Sequence, residues 1–354
     1  MDRLKRHILA KQGRGEEQAK MQGKRTISEE SIVREVARAA RTSDRPSRKS
    51  GVEVSIGDDA AIWRPKKGFD TVLTTDWFLE GPHFWRDWHP AEAVGWKCLM
   101  RAASDVAAMG GDPRCFLLSL ALPVSCAETW LNGFLQGLMK AARRLKCPLA
   151  GGDTTRNDRV LININVLGEV KSGIAVRRNG AKPGDRIFVS GRLGEAELGL
   201  KMARQLRKAG VRPRSLLISK HLRPEARIEL GQWLATNRLA TAMMDISDGL
   251  SSDLTRMCIA SQVGAEIELA RIPTAAGQFR AKSSPRELTE AALHGGDDYE
   301  LLFCVTDHDR KRVPKVFRGL ALAEIGRVTK QRAIKLAERS GKIVPLRPLG
   351  WDPF

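Results

Sequence analysis

The chain has 354 residues, of which 42% are hydrophobic and 29% charged, and a formal net charge of +19; this is a globular composition, with room for two domains with buried cores, and excludes a disordered or fibrous chain. The longest apolar runs, such as 115–123, are strand-sized and well short of the roughly 20 residues a membrane-spanning helix needs, and the N-terminus lacks the order of a secretory signal. Six scattered cysteines (98, 115, 126, 147, 258, 304) form no C-x-x-C pair, which argues against a zinc site and for reduced core thiols in a cytoplasmic protein.

In chain order, residues 1–26 are polar and basic without an apolar period and read as a basic flexible extension. A helix is expected over 28–40, with Ile32, Val33, Val36 and Ala40 on one face behind a Ser28 cap. "TVLTTD" (71–76) reads as a strand with Asp76 at its C-terminal end. From Pro90 a helix follows in which Val94, Cys98, Ala102, Val106 and Met109 recur near 3.6 spacing; it carries Asp105 inside and stops at Gly110-Gly111. A strand over 115–121 precedes a helix over about 127–146, introduced by Ser125 and Glu128 at capping-box spacing. "VLININVLGEV" then alternates like a strand.

The Gly/Pro-punctuated basic segment 177–191 marks a nearby domain boundary and runs into a new strand. Expected beyond it are helices over 194–208, 224–236 and 286–293, strands over 265–269 and 300–305, and a helix opened by "DISDG". Strands alternate with helices throughout, an α/β or α+β pattern that periodicity alone does not resolve further.

Six short acidic clusters stand beside Gly, Ser or Thr: "GDDAA", "TTD", "SDVAAMGG", "GGDTT", "DISDG" and "GGDDYE". One such cluster is ordinary turn chemistry. Several of these fall where a strand ends or a helix begins, the places where a fold presents oxygen ligands and N–H groups to a ligand. Hard cations such as Mg²⁺ take carboxylates, hydroxyls, waters and substrate phosphates, so the set suits a Mg–nucleotide site. Lys97, Arg156, Arg178 and Lys182 lie near enough in sequence to meet phosphates. No P-loop, no G-x-G-x-x-G after a strand and no H-R-D/D-F-G set is present. His221 stands alone in "HLRPEARIE" and reads as a helix-entry residue. Adjacent Asp58 and Asp59 point opposite ways on an extended segment, so one faces the site and the other braces the loop.

Taken in order, "GDDAA", "TTD" with "EGPHF", "SDVAAMGGDP", "GGDTTR", "RNGAKPGD", "DISDGLSSDL", "GGDDYELLF" and "GWDPF" resemble the thiamine-monophosphate kinase family, of the superfamily of aminoimidazole ribonucleotide synthetase. The resemblance implies a two-domain fold, 27–172 and 173–354, with the N-terminal sheet pairing across a homodimer. It implies ATP-dependent phosphorylation of thiamine phosphate to thiamine diphosphate with several Mg²⁺ and a dependence on K⁺. It assigns Asp59, Thr74, Thr75, Asp76, Asp105, Asp153, Asp245 and Asp248 to metal, with Asp105 and Asp153 catalytic. Gly152, Asp153, Arg178 and Ser247 fall to ATP, and His83, Asp297 and Trp351 to thiamine phosphate. Family members usually carry Glu at the position of Asp297, and the family's aromatic contact to ATP has no assigned counterpart, Tyr299 being the only tyrosine.

Among rivals, selenophosphate synthetase wants a reactive cysteine near the N-terminus, yet none precedes Cys98. Hydrogenase-maturation relatives end in a cysteine, whereas this chain ends "WDPF". Aminoimidazole ribonucleotide synthetase is the nearest alternative. A non-catalytic nucleic-acid-binding relative is motivated by the charge and the tail, but finds no recognition motif or stacking pattern in a chain that is 5% aromatic.

Overall fold

The computed structural model describes residues 29–43, 51–56, 60–126, 128–209, 218–277, 279 and 283–353. The basic extension, the Ser28 cap and the Asp58–Asp59 pair lie outside the described residues.

The first half runs α1 (Glu29–Ser43), a short β1/β2 ribbon (Val52–Val54, Ile62–Trp63), β3 (Phe69–Leu79), α2 (Ala91–Ala108), β4 (Asp112–Leu122), α3 (Thr129–Leu145), β5 (Leu149–Arg156) and β6 (Leu161–Lys171). Its sheet has the order β3-β6-β4-β5 and is antiparallel except between β4 and β5. The helices cover one face, where Phe78, Leu99, Phe116, Phe134 and Ile164 form a core with essentially no exposure. The other face is open: Leu73 and Trp77 are 69% and 54% exposed.

The second half runs β7 (Arg186–Ser190), α4 (Glu195–Lys208), the one-turn α5 (Ser219–Leu222), α6 (Ile228–Thr236), β8 (Ala240–Ile246), α7 (Leu250–Ser261), β9 (Gly264–Glu268), α8 (Pro285–His294), β10 (Glu300–Val305), β11 (Val316–Phe317), β12 (Leu320–Thr329), β13 (Ile334–Ala337) and β14 (Ile343–Pro345). Its sheet has the order β14-β13-β9-β12-β7-β10-β8, with β11 beside β12. Only β9 and β13 pair in parallel. Mixed helix and sheet with mainly antiparallel pairing settles the α/β or α+β alternative toward α+β.

Helix α2 joins the halves. Fourteen of its eighteen residues are buried, including Val94, Cys98, Ala102 and Val106 of the expected stripe; Met109, its last member, is the half-buried residue that closes the helix. On one side α3 approaches so closely that a Cβ on Gly137 would stand 1.8 Å from the Glu92 carbonyl oxygen, and one on Gly95 2.0 Å from that of Phe134. On another side the helix meets α6 and β8. Among the described residues no helix is long and apolar enough to cross a membrane, and all six cysteines are buried and free.

Four local expectations need correction. Strand β3 continues to Leu79, so Asp76 lies inside it, paired with Ile164; the apolar Trp77-Phe78-Leu79 run extends the ladder past the acidic cluster. Ser125 is used in a 3₁₀ turn over Val124–Cys126, leaving α3 without a side-chain cap at Glu128. The helix expected from 224 starts at Ile228, because the Pro224 carbonyl accepts the Trp96 indole N–H at 2.8 Å and Arg227 reaches Glu300. Val33 is 41% exposed, whereas Val36 faces the core.

Candidate active site

A cavity of about 620 Å³ opens where β3 and α2 meet α4, the loops after β8 and α8, and the segment 349–351. Its acidic wall is assembled from three elements. On β3, alternate residues point the same way, so Thr74 and Asp76 face α2. Thr74 Oγ1 donates to Asp105 Oδ2 at 2.5 Å, and Arg101, one turn before Asp105, holds both Asp76 oxygens at 3.0 Å. Asp245 enters from β8 and is 7% exposed.

These carboxylates oppose one another. Burial raises the Asp105 pKa, a rise that the Thr74 hydrogen bond resists and the Asp76 charge adds to. Burial first, then the charge of Asp105, pushes Asp245 up to about 8. Like charges brought this close favour the protonated form until a cation arrives. The donor set is all oxygen, which fits Mg²⁺. Among the described residues no three such groups already form a closed cage; Mg²⁺ does not need one, since it keeps waters and borrows substrate phosphate oxygens.

The loop after β8 is shaped by Asp253 in the first turn of α7. Its Oδ2 accepts the backbone N–H groups of Ser247, Asp248 and Gly249 at 3.1, 3.0 and 3.1 Å, gathering donors the helix start would otherwise leave unpaired. Arg256 pairs with both Asp248 and Asp253. This leaves Ser247 and Asp248 on the cavity wall.

Aromatic side chains also line the cavity. His83 accepts the Leu79 N–H through Nδ1 at 3.0 Å, and its ring lies 5.5 Å from that of Trp351. Burial is the main cause that lowers His83 to about 4, so it is uncharged near neutral pH. Trp351 is 42% exposed and is tied by its N–H to the Asp248 carbonyl at 3.0 Å. Asp297 also lines the cavity, in the left-handed region at φ 69°, as is Tyr299 at φ 50°. Burial alone would raise Asp297, but the Lys97 ammonium at 2.7 Å, His221 and Arg101 hold it well below the usual carboxylate range.

Residues 57–170 match the family described as AIR synthase related protein, N-terminal domain, and residues 182–338 match its C-terminal domain. The thiamine-monophosphate kinase of Escherichia coli K12 is 37% identical over 311 residues, covering 87% of this chain and 94% of that protein. The chain belongs to the thiamine-monophosphate kinase family. The crystal structure of the family member from Stenotrophomonas maltophilia K279a superimposes with a TM-score of 0.75 at 32% identity, covering 86% of this chain and 95% of that one. A structure described as AaThiL complexed with AMPPCP and TMP gives 0.71 at 34% identity, covering 85% and 92%.

Within this thiamine-monophosphate kinase fold, Asp76, His83, Asp105, Asp245, Ser247, Asp248, Asp297 and Trp351 line one cavity, with Thr74 bonded to Asp105. Other expected residues stand apart. Thr75 is on the other side of β3, bonded to Asn163. Gly152 and Asp153 are exposed on the edge strand β5, with Asp153 in register beside Ser119 and three strands from Asp76. Arg178 is outside the cavity lining, although its charge lowers the Asp105 pKa. Asp59 lies outside the described residues.

Two expectations about single residues change. Lys97 cannot meet a phosphate as it stands: its side chain is 2% exposed and pairs with Asp297. His221, read as a helix-entry residue, sits in α5 but is buried against the cavity, 3.3 Å from Asp297. Asp298, the neighbour of Asp297, turns away to α4, its carboxylate accepting the Gly194 N–H at 2.7 Å ahead of that helix. Arg101 carried no sequence signal, and Asp253, although within "DISDGLSSDL", was given no role, because their partners lie on other elements or in a loop whose shape the sequence does not declare.

Proposed function

We propose that the protein transfers the γ-phosphoryl group of ATP to thiamine phosphate, giving ADP and thiamine diphosphate. The observation that carries this reading is the lining of the cavity in a chain of this family: clustered carboxylates together with the uncharged His83 and Trp351. A cationic thiazolium suits an aromatic face, and a triphosphate with its cations suits the acidic wall.

Phosphoryl transfer asks the protein for alignment and charge neutralisation. A phosphate oxygen of thiamine phosphate bonds to the γ-phosphorus as the bond to the β–γ bridging oxygen breaks. The acceptor is already ionised, so no general base is needed. Thr74, Asp76, Asp105, Asp245 and Asp248 at the cavity, with Asp59, and with Thr75 and Asp153 from the open face of the first sheet, would hold Mg²⁺, which when bound neutralises phosphate charge. Asp105, fixed by Thr74, orients this set from α2. Ser247, Gly152, Asp153 and Arg178 take ATP, with K⁺ assisting; His83, Asp297 and Trp351 take thiamine phosphate.

The domains divide at 172/173, the first carrying most metal ligands and the second completing the pocket. Two chains pair through the open face and edges of the first sheet, as the exposed Leu73 and Trp77 support. Strand β3 is one edge and β5 the other; pairing through Asn163 and Ser119 sets Asp153 on the same open face as Trp77, so a partner's β5 laid beside β3 at the usual spacing of about 4.8 Å would bring its Asp153 to the Thr75 side of that strand, across it from Asp76. Six buried free thiols support a cytoplasmic location.

The test is incubation with ATP, Mg²⁺, K⁺ and thiamine phosphate, followed by chromatography for thiamine diphosphate. Formation that requires all of ATP, Mg²⁺ and thiamine phosphate is expected. ATP consumption that ignores thiamine phosphate would overturn the proposal.

A further inference from the structure

The Asp297 carboxylate is approached by a line of buried groups that the reaction does not itself require. The Trp85 N–H donates to His89 Nδ1 at 3.0 Å, while the Trp85 carbonyl, 3.2 Å from that nitrogen, already accepts the N–H groups of His89 and Trp88. A neutral imidazole that accepts at Nδ1 carries its proton on Nε2. His89 Nε2 lies 3.2 Å from His221 Nε2, so His89 donates and His221 accepts. His221 then carries its proton on Nδ1, which stands 3.3 Å from Asp297 Oδ2 and 3.3 Å from Lys97 Nζ; the ammonium only donates, so the proton turns to the carboxylate. Lys97 Nζ donates to the same oxygen at 2.7 Å, and the Tyr299 hydroxyl to Oδ1 at 3.0 Å.

His89, Lys97 and His221 are 4%, 2% and 1% exposed, so solvent does not compete for these bonds. They come from the turn before α2, from α2 and from α5, whereas Asp297 comes from the loop before β10. The line therefore ties the two halves together across the cavity. It also holds a loop in which both Asp297 and Tyr299 sit in the left-handed region, a conformation that persists only when its surroundings fix it. With 27% of its side chain open to the cavity, Asp297 keeps acceptor capacity for a ligand.

We propose that His89, His221 and Lys97 are positioning residues for thiamine phosphate, forming a one-way hydrogen-bond chain that fixes Asp297 as an oriented, ionised acceptor for the substrate's amino or cationic ring. This rests on the functional reading above. A structural brace would move stability alone; a positioning chain moves KM for one substrate.

Two asparagine-like replacements separate the cases. His221→Asn places an amide N–H near the Nδ1–H, and His221→Gln places it near Nε2. The chain predicts that His221→Gln raises KM for thiamine phosphate by about tenfold, the scale of one lost hydrogen bond to a charged group, with KM for ATP unmoved, and that His221→Asn largely restores it. Equal KM values for the two variants would overturn the proposal. Nitrogen-15 NMR of the full chain gives an activity-free reading: His89 as the Nε2–H tautomer and His221 as the Nδ1–H tautomer are expected, and the reverse pair would overturn it. Wild-type protein that makes no thiamine diphosphate defeats the functional reading, whereas active protein with an unresponsive KM defeats this inference alone.

Discussion

At the scale of single residues, Asp105 is held against its own electrostatics, buried and close to two other carboxylates. Asp105→Asn keeps an acceptor for Thr74 and removes a charge, so the metal-free fold should be as stable as wild type or more so. Turnover should fall by roughly 100-fold or more, the scale of losing one preorganised transition-state group. Thermal melting without Mg²⁺ and kcat with it measure the two effects, and a kcat near wild type would remove Asp105 from the machinery. Trp351 is a different case. A plug over the core would be buried, whereas Trp351 is 42% exposed and faces His83. Trp351→Ala should therefore raise KM for thiamine phosphate several-fold, on the order of the 1 kcal/mol of an exposed cation–π contact, and leave KM for ATP unchanged. An equal rise for both substrates would contradict this.

At the scale of elements, α2 shows what the sequence could and could not declare. Its buried stripe and its stop at Gly110-Gly111 were readable, because a 3.6-residue period needs only local information. Strand β8 was not, since Thr241 and Asp245 interrupt its apolar residues and its last five positions are all buried, so no alternation shows. The same limit applies to the site. The carboxylates were visible as clusters beside Gly, Ser and Thr, but Thr75 and Asp153 separate from the rest because the side on which a strand residue lies depends on pairing. Lys97, Arg101 and His221 find partners 200, 25 and 76 positions away, a separation that no motif spells out. The contact between α2 and α3 offers a sharper test. A methyl group at Gly137 would overlap the Glu92 backbone, which cannot rotate away as a side chain can. Gly137→Ala should cost about 1–3 kcal/mol, the usual scale of overpacking, seen as a lower midpoint in urea; an unchanged midpoint would mean the helices part freely.

At the scale of the whole molecule, Asp153 lies three strands from Asp76 in the same chain, so its proposed metal role calls for a partner chain. The proposed dimer makes a countable prediction. Two inactive variants, Asp105→Asn and Asp153→Asn, unfolded and refolded together, should recover about a quarter of wild-type activity, because half the dimers are mixed and each mixed dimer has one intact site. No recovery would place Asp153 and Asp105 in the same chain's site. The measurement that bears most directly on the central claim follows the γ-phosphorus itself. With [γ-³²P]ATP, Mg²⁺ and thiamine phosphate, direct transfer predicts label in thiamine diphosphate, one per ADP formed, and none retained on the protein after denaturation. Label released as inorganic phosphate in step with ADP, with thiamine phosphate recovered unchanged, would contradict it.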